Sequence, residues 1–198
     1  MIKKQFALIF LLWSSFGLNL SCSAQVAQDV KVYDWEVAKN AHPDTIYAIS
    51  FEKSKLIEVP ADLKRYKNVK QLNFAKNKLN DLPEFFTGFE SLEVLDLTKN
   101  EFRIFPIEIC QMKNLKELLV GRNEIASIPE CIEYASSIEF LDIYDNPLSH
   151  VPESMMRLKK LTKIDFTGIR FNRDFQDKLK AQLPDTKLIF DSPCDCMN

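Results

Sequence analysis

The sequence predicts an α/β solenoid: about six stacked units that build a concave parallel β-sheet, closed by a cap at each end. Five prolines, Pro60, Pro83, Pro106, Pro129 and Pro152, fall on one 23-residue period, and four asparagines, Asn77, Asn100, Asn123 and Asn146, keep the same period. Counted from Val69, Leu92, Leu115 and Ile138, apolar residues recur at positions 1, 4, 6, 11 and 14, with Asn at 9 and Pro at 15. A fixed period of this size, in two residue types at once, marks units that stack on their neighbours to bury a shared core.

The elements follow in chain order. Residues 1–21 form a signal peptide: Lys3 and Lys4 are a basic start, and an apolar run from Phe6 to Trp13 continues to about Leu20. That run is too short for a comfortable membrane span. Residues 22–30 are a tether, and residues 31–45 an N-terminal cap with a short helix over 34–40 and Asp34 as its N-cap. The repeats occupy 46–183. The first, from Ile46, keeps Ile49, Phe51, Leu56, Val59, Pro60 and Leu63 but carries Ser54 in place of the asparagine. The last, from Leu161, has Ile169 at the Asn position and Phe175 at the Pro position, and its second half, 172–183, reads as an amphipathic helix. Residues 184–198 are a C-terminal cap and tail, with a closing strand over Thr186–Phe190.

Within a repeat, positions 3 to 7 alternate polar and apolar, as in Gln71-Leu72-Asn73-Phe74-Ala75. This is the pattern of a half-buried strand. The asparagine amide has both donors and an acceptor, so it can satisfy backbone groups that the following turn removes from water. The proline stops the extended segment and starts a convex-side turn or short helix. Apolar residues at positions 18 and 21, such as Phe86 with Phe89 and Ile109 with Met112, close the core from outside.

These positions match L-x-x-L-x-L-x-x-N-x-L, and the chain resembles the leucine-rich repeat family, in its short Leu-Pro class. The resemblance implies a right-handed horseshoe-shaped solenoid. The cap segment Trp35–Phe51, followed by Leu56-Ile-Glu-Val-Pro60, is similar to that of small bacterial leucine-rich repeat proteins that are secreted or lipid-anchored. It implies protein–protein interaction through the concave face, without catalysis.

Leu20-Ser21-Cys22 resembles a bacterial lipobox, with Asn19 where a leucine is usual. On that reading Cys22 is acylated and the protein is a membrane-anchored lipoprotein, periplasmic or at the cell surface. On the other, cleavage after Ala24 leaves a soluble secreted or periplasmic chain that starts at Gln25. Export permits disulfides. Cys110 and Cys131 lie on consecutive repeats, and two separate buried thiols are expected there in preference to a bridge. Cys194 and Cys196, one residue apart, are too few for a zinc site. No metal and no cofactor are expected.

The net charge of −2 and the absence of a basic run exclude nucleic-acid binding. The two histidines, His42 and His150, lie about four repeats apart, and no phosphate loop, nucleophile elbow or zinc-protease motif is present. Asp142 and Asp165 fall about 5 Å apart on neighbouring strands. They read as part of a solvated polar column, not as an acid–base pair.

Function therefore falls to the concave face. The expected binding residues are Leu119, Phe140 and Tyr144 as an apolar cluster in the fourth and fifth repeats, beside an acidic end made of Asp142, Asp145 and Asp165. Val94 and Gly121 leave a shallower area next to the aromatics, and Lys53, Lys76, Lys99 and Arg122 form a ladder of cations along one edge. The expectation is a monomeric, non-catalytic scaffold for a protein or peptide, touching the membrane only through a lipid at Cys22. Two alternatives are an adhesin or receptor for a host protein or glycan, and a regulatory or inhibitory subunit of a cell-envelope enzyme.

Overall fold

Alternating polar and apolar residues at the start of each repeat become strand in the folded chain. The computed structural model describes residues 30–193. The signal segment, Cys22, the tether up to residue 29, Cys194 and Cys196 lie outside the described residues. Eight strands, β1 (Val32–Asp34), β2 (Ala48–Ser50), β3 (Gln71–Asn73), β4 (Val94–Asp96), β5 (Glu117–Leu119), β6 (Phe140–Asp142), β7 (Lys163–Asp165) and β8 (Lys187–Ile189), form one parallel sheet in chain order. The expected solenoid is therefore present, with six repeat strands and one further strand at each end.

The strands span only positions 3 to 5, shorter than the 3-to-7 segment read from the alternation, but the backbone bonding runs on. Phe74 N–H donates to Asp96 O at 2.7 Å, and Lys76 N–H to Thr98 O at 2.8 Å. The extended run ends at position 8, where Lys53, Lys76, Lys99, Arg122, Asp145 and Gly168 all adopt positive φ, between 50° and 82°. Pairing is in register, so Leu72, Leu95, Leu118 and Leu141 sit side by side. Each repeat position thus becomes a column along the stack. The in-pointing columns at positions 1, 4, 6 and 11 are buried throughout the regular repeats.

The asparagine column carries out the expected backbone bonding and also joins each repeat to the one before it. Asn100 Nδ2 donates to Leu97 O in its own repeat at 2.9 Å and to Phe74 O in the preceding one at 3.0 Å. Its Oδ1 accepts from Leu79 N–H at 3.0 Å. Asn77, Asn123 and Asn146 make the equivalent three bonds. The exceptions at the ends have a reason in this geometry. Ser54 is in the first repeat, which has no preceding repeat to bridge. At the other end Ile169 is buried, and Gln176 supplies an amide from the helix, donating to Phe171 O and Asp191 O, both at 3.2 Å.

On the convex side the prolines stand one residue before five short 3-10 helices, Ala61–Arg65, Glu84–Gly88, Ile107–Gln111, Glu130–Tyr134 and Glu153–Arg157. Their φ of −58° to −74° directs the chain into the turn, and their carbonyls accept the first helical N–H, as in Leu63 N–H to Pro60 O at 3.0 Å. Cys110 and Cys131 fall on two adjacent helices of this row. They form a disulfide with Cα atoms 5.6 Å apart, which corrects the expectation of two separate thiols. Cys131 stands two positions earlier in its repeat than Cys110, and the tight 3-10 turns still bring the two Cα atoms within bridging range.

The N-terminal cap is helix α1 (Trp35–Ala38), shorter than the 34–40 segment expected. Asp34 is at its N-cap position, but its side chain makes no capping bond. Strand β1, which the sequence did not reveal, covers the edge of β2. Trp35 packs on Phe51 and Tyr66 with ring centroids 5.1 and 5.9 Å away, and Tyr66 Oη donates to Ala38 O at 2.8 Å. At the other end α2 (Arg173–Gln182) begins at Asn172, whose side chain accepts from Phe175 N–H as an N-cap should. Phe175 of this helix joins Phe166, Phe171 and Phe190 in an aromatic plug. No helix among the described residues is long and apolar enough to cross a membrane.

Candidate functional site

Position 5 of each strand points to the concave face, and in five of six repeats its side chain has a local structural role. Asn73 Oδ1 accepts from Ala75 N–H at 2.8 Å, Asp96 from Thr98 N–H at 2.8 Å, Asp142 from Tyr144 N–H at 3.2 Å and Asp165 from Thr167 N–H at 2.9 Å. Ser50 does the same for Glu52 N–H at 3.2 Å. The polar column therefore caps the backbone where each strand turns away. Leu119 breaks it: an isobutyl group supplies no acceptor to Gly121 N–H.

The expected apolar residues are brought together around this break. Leu119 lies in register between Asp96 and Asp142, and Phe140 and Tyr144 flank Asp142 on the next strand. Asp142 thus sits among the apolar groups, not to one side of them. Its neighbour across β7 is Asp165. Burial and, less strongly, the charges of Asp165 and Asp96 push the Asp142 carboxyl up to about 6 against the Tyr144 N–H bond and Lys163, which favour the ionised form. Burial, then the charge of Glu139, also raises Glu117.

The aromatics are half-buried and each has a partner. Lys163 Nζ stands 4.2 Å from the centroid of the Phe140 ring. The Tyr144 ring lies over Gly121, where a Cβ would come within 2.1 Å of two ring carbons. The shallow area expected at Gly121 is therefore filled by Tyr144, while Val94 remains half-exposed.

The four cations line the turn where each strand ends. Lys76 pairs with Glu52 at 2.7 Å, Lys53 with Glu52 at 3.5 Å, and Arg122 with Asp145 at 3.8 Å. Lys99 lies between them without an ion pair among the described residues. At the opposite rim, position 2 alternates Lys70, Glu93, Lys116 and Glu139; Glu93 reaches both lysines, at 3.2 and 2.6 Å. The Lys116 hydrogen bond lowers the Glu93 carboxyl against partial burial, with help from Lys70.

Sequence reasoning missed a second apolar surface, on the convex side. Ile104, Ile107 and Tyr134 are 79, 60 and 63 % exposed. Ile107 lines two shallow depressions, one with Ile104 and Phe105, the other with Tyr134 and the disulfide. The available signal was Ile107 itself, at a position that the other regular repeats fill with Glu84, Glu130 and Glu153. His42 and His150 are both exposed and belong to different ends of the stack. Among the described residues no group of three or more His, Cys, Asp or Glu side chains could hold a metal ion.

The architecture matches that of a leucine-rich repeat protein of Leptospira interrogans, with a TM-score of 0.68 and 27 % identity over 75 % of this chain. The chain is a leucine-rich repeat solenoid. It spans 38 % of that protein's length. No family model matches the chain, and no curated protein matches it in sequence. A leucine-rich repeat solenoid suggests a protein-binding scaffold and points away from an enzyme fold.

Proposed function

We propose that this leucine-rich repeat solenoid is an exported, non-catalytic scaffold that holds a segment of a partner protein on its concave face, and that an acyl chain on Cys22 tethers it to a membrane. The observation that carries the binding role is the break at Leu119. A column that caps the backbone in every other repeat gives up its acceptor there, next to Phe140 and Tyr144, so this position favours contact over local stability. Aromatic and aliphatic groups on an otherwise polar sheet are the usual anchors of an interface. The basic, apolar and small-residue segments of the first 24 residues support export.

Pull-down from envelope extracts with the wild-type protein and a Phe140→Ala/Tyr144→Ala variant tests the binding role. The variant is expected to lose the partner while keeping its far-UV circular dichroism, and equal recovery by both proteins would sink the proposal. Intact mass of the mature protein tests the tether: acylated Cys22 at the N-terminus is expected, and an unmodified Gln25 overturns it.

A further inference from the structure

The net charge of −2 conceals three bands along the solenoid. Residues 50–78 carry eight basic and three acidic side chains, 81–145 five basic and fourteen acidic, and 146–193 nine basic and six acidic. The acidic band is the one that contains β4, β5 and β6, and with them the break at Leu119.

Around that break the sheet face combines apolar contact area with negative charge outside any ion pair among the described residues. Asp96, Glu117 and Asp142 are half-buried, and none of the three is in an ion pair among the described residues. Three of the neighbouring cations are already engaged, Lys163 over Phe140, Arg122 with Asp145 and Lys116 with Glu93, while Lys99, at the turn after β4, is outside any ion pair among the described residues. A half-buried carboxylate without a counter-ion favours a cation brought from outside. An anionic partner, whether nucleic acid, acidic glycan or acidic peptide, meets repulsion at all three positions.

We propose that the occupant of this face is a basic segment of a partner protein, which sets one large apolar side chain against Leu119 and Tyr144 and places lysine or arginine on either side of it. This rests on the concave-face reading above and adds the chemistry of the partner. Leu119 lies in register between Asp96 and Asp142, so an apolar anchor seated there has a carboxylate about 5 Å away on each neighbouring strand. That spacing suits cationic residues one or two places before and after the anchor.

Acidification should weaken the complex. Asp142 faces Asp96 from β4, Leu119 and Glu117 from β5, and Lys163 and Asp165 from β7, with Tyr144, Arg122 and Asp145 at the turn. Since burial pushes its carboxyl up to about 6, Asp142 is ionised at pH 7.5 and mostly protonated at pH 5. The complex then loses one of its flanking charges within a range where ordinary aspartates remain ionised.

The test is selection of a random 12-residue peptide display library on the full chain at pH 7.5, with counter-selection on a folded Leu119→Ser/Tyr144→Ala variant. Peptides that need the wild-type face are expected to carry Lys or Arg within two residues of a Trp, Phe, Leu or Met. A synthetic peptide from that set should bind on the order of tenfold more weakly to Asp142→Asn/Glu117→Gln, and its affinity for wild type should fall between pH 7.5 and 5. Asn is already accommodated at the position of Asp142 three periods earlier in the sheet, at Asn73, so the variant keeps its turn. Face-dependent peptides that are neutral or acidic would overturn the basic-segment proposal and leave the concave-face reading intact. Peptides indifferent to the Leu119→Ser/Tyr144→Ala change, or none recovered, would overturn both.

Discussion

Asn77, Asn100, Asn123 and Asn146 each satisfy three backbone groups with one amide, across two repeats. Asn100→Ala leaves the buried Leu79 N–H without its acceptor and takes one of two donors from each of Phe74 O and Leu97 O, which keep Asn77 and Asn123. The expected cost is about 3 kcal/mol, read as a lower urea midpoint, and Asn100→Asp should not restore it because a carboxylate cannot donate. The Asp142 carboxyl works in the opposite sense. Its folded value, about 6, lies above its ordinary 3.8, so the folded state holds this proton more tightly than the unfolded chain does. The resulting contribution to stability is fully present below about pH 3.8 and is lost as pH rises through 6. Asp142→Asn keeps an acceptor for Tyr144 N–H and removes the titration. Discounted for partial solvent exposure, it should stabilise the protein by about 1 kcal/mol at pH 7.5, and the gain should vanish near pH 4. Urea midpoints of the two proteins at both pH values check the sign.

At the scale of elements, in-register stacking turns repeat positions into columns, and the proposed binding residues are where a column changes. Gly121 is small because the Tyr144 ring occupies the space above it. Gly121→Ala should displace the ring, which can swing, so the cost in stability stays within about 1 kcal/mol. Near-ultraviolet circular dichroism and peptide binding should both change. The row of 3-10 helices is cross-linked once, by Cys110 and Cys131. Closing a loop of sequence separation 21 is worth about 3 kcal/mol by chain entropy. Cys110→Ser/Cys131→Ser, or reduction of the wild type, should lower the urea midpoint accordingly, with concave-face binding unaffected.

At the scale of the molecule, stability is passed from each repeat to its neighbours, so the ends matter more than their size indicates. The aromatic plug of Phe166, Phe171, Phe175 and Phe190 closes the last repeat. Deleting residues 172–193 removes Phe175 and Phe190 and should expose Phe166 and Phe171, raise binding of a hydrophobic dye and shift the protein to larger species in size-exclusion chromatography. Replacing Trp35 by Ala should loosen the other end more locally, since β1 and the Tyr66 Oη bond to Ala38 O remain to hold the cap.

The period of Pro and Asn, and the apolar positions between them, were enough to define the solenoid, its repeat boundaries and the faces of its sheet. They suffice because each repeat has the same neighbours, so one local pattern implies the whole stack. Helix α2 was legible over 172–183 because its period and length lie within a single segment, while the capping bond of Asn172 came from the structure. The short β1 strand and the Cys110–Cys131 bridge were not, because each depends on how closely two turns approach in space. At the site, the sequence named Leu119, Phe140 and Tyr144 by their exposed register. Only tertiary structure decided that Asp142 lies among them, that Lys163 covers Phe140 and that Tyr144 fills the space over Gly121. Register assigns a residue to a face, whereas the direction of a side chain on that face is set by the residues packed beside it.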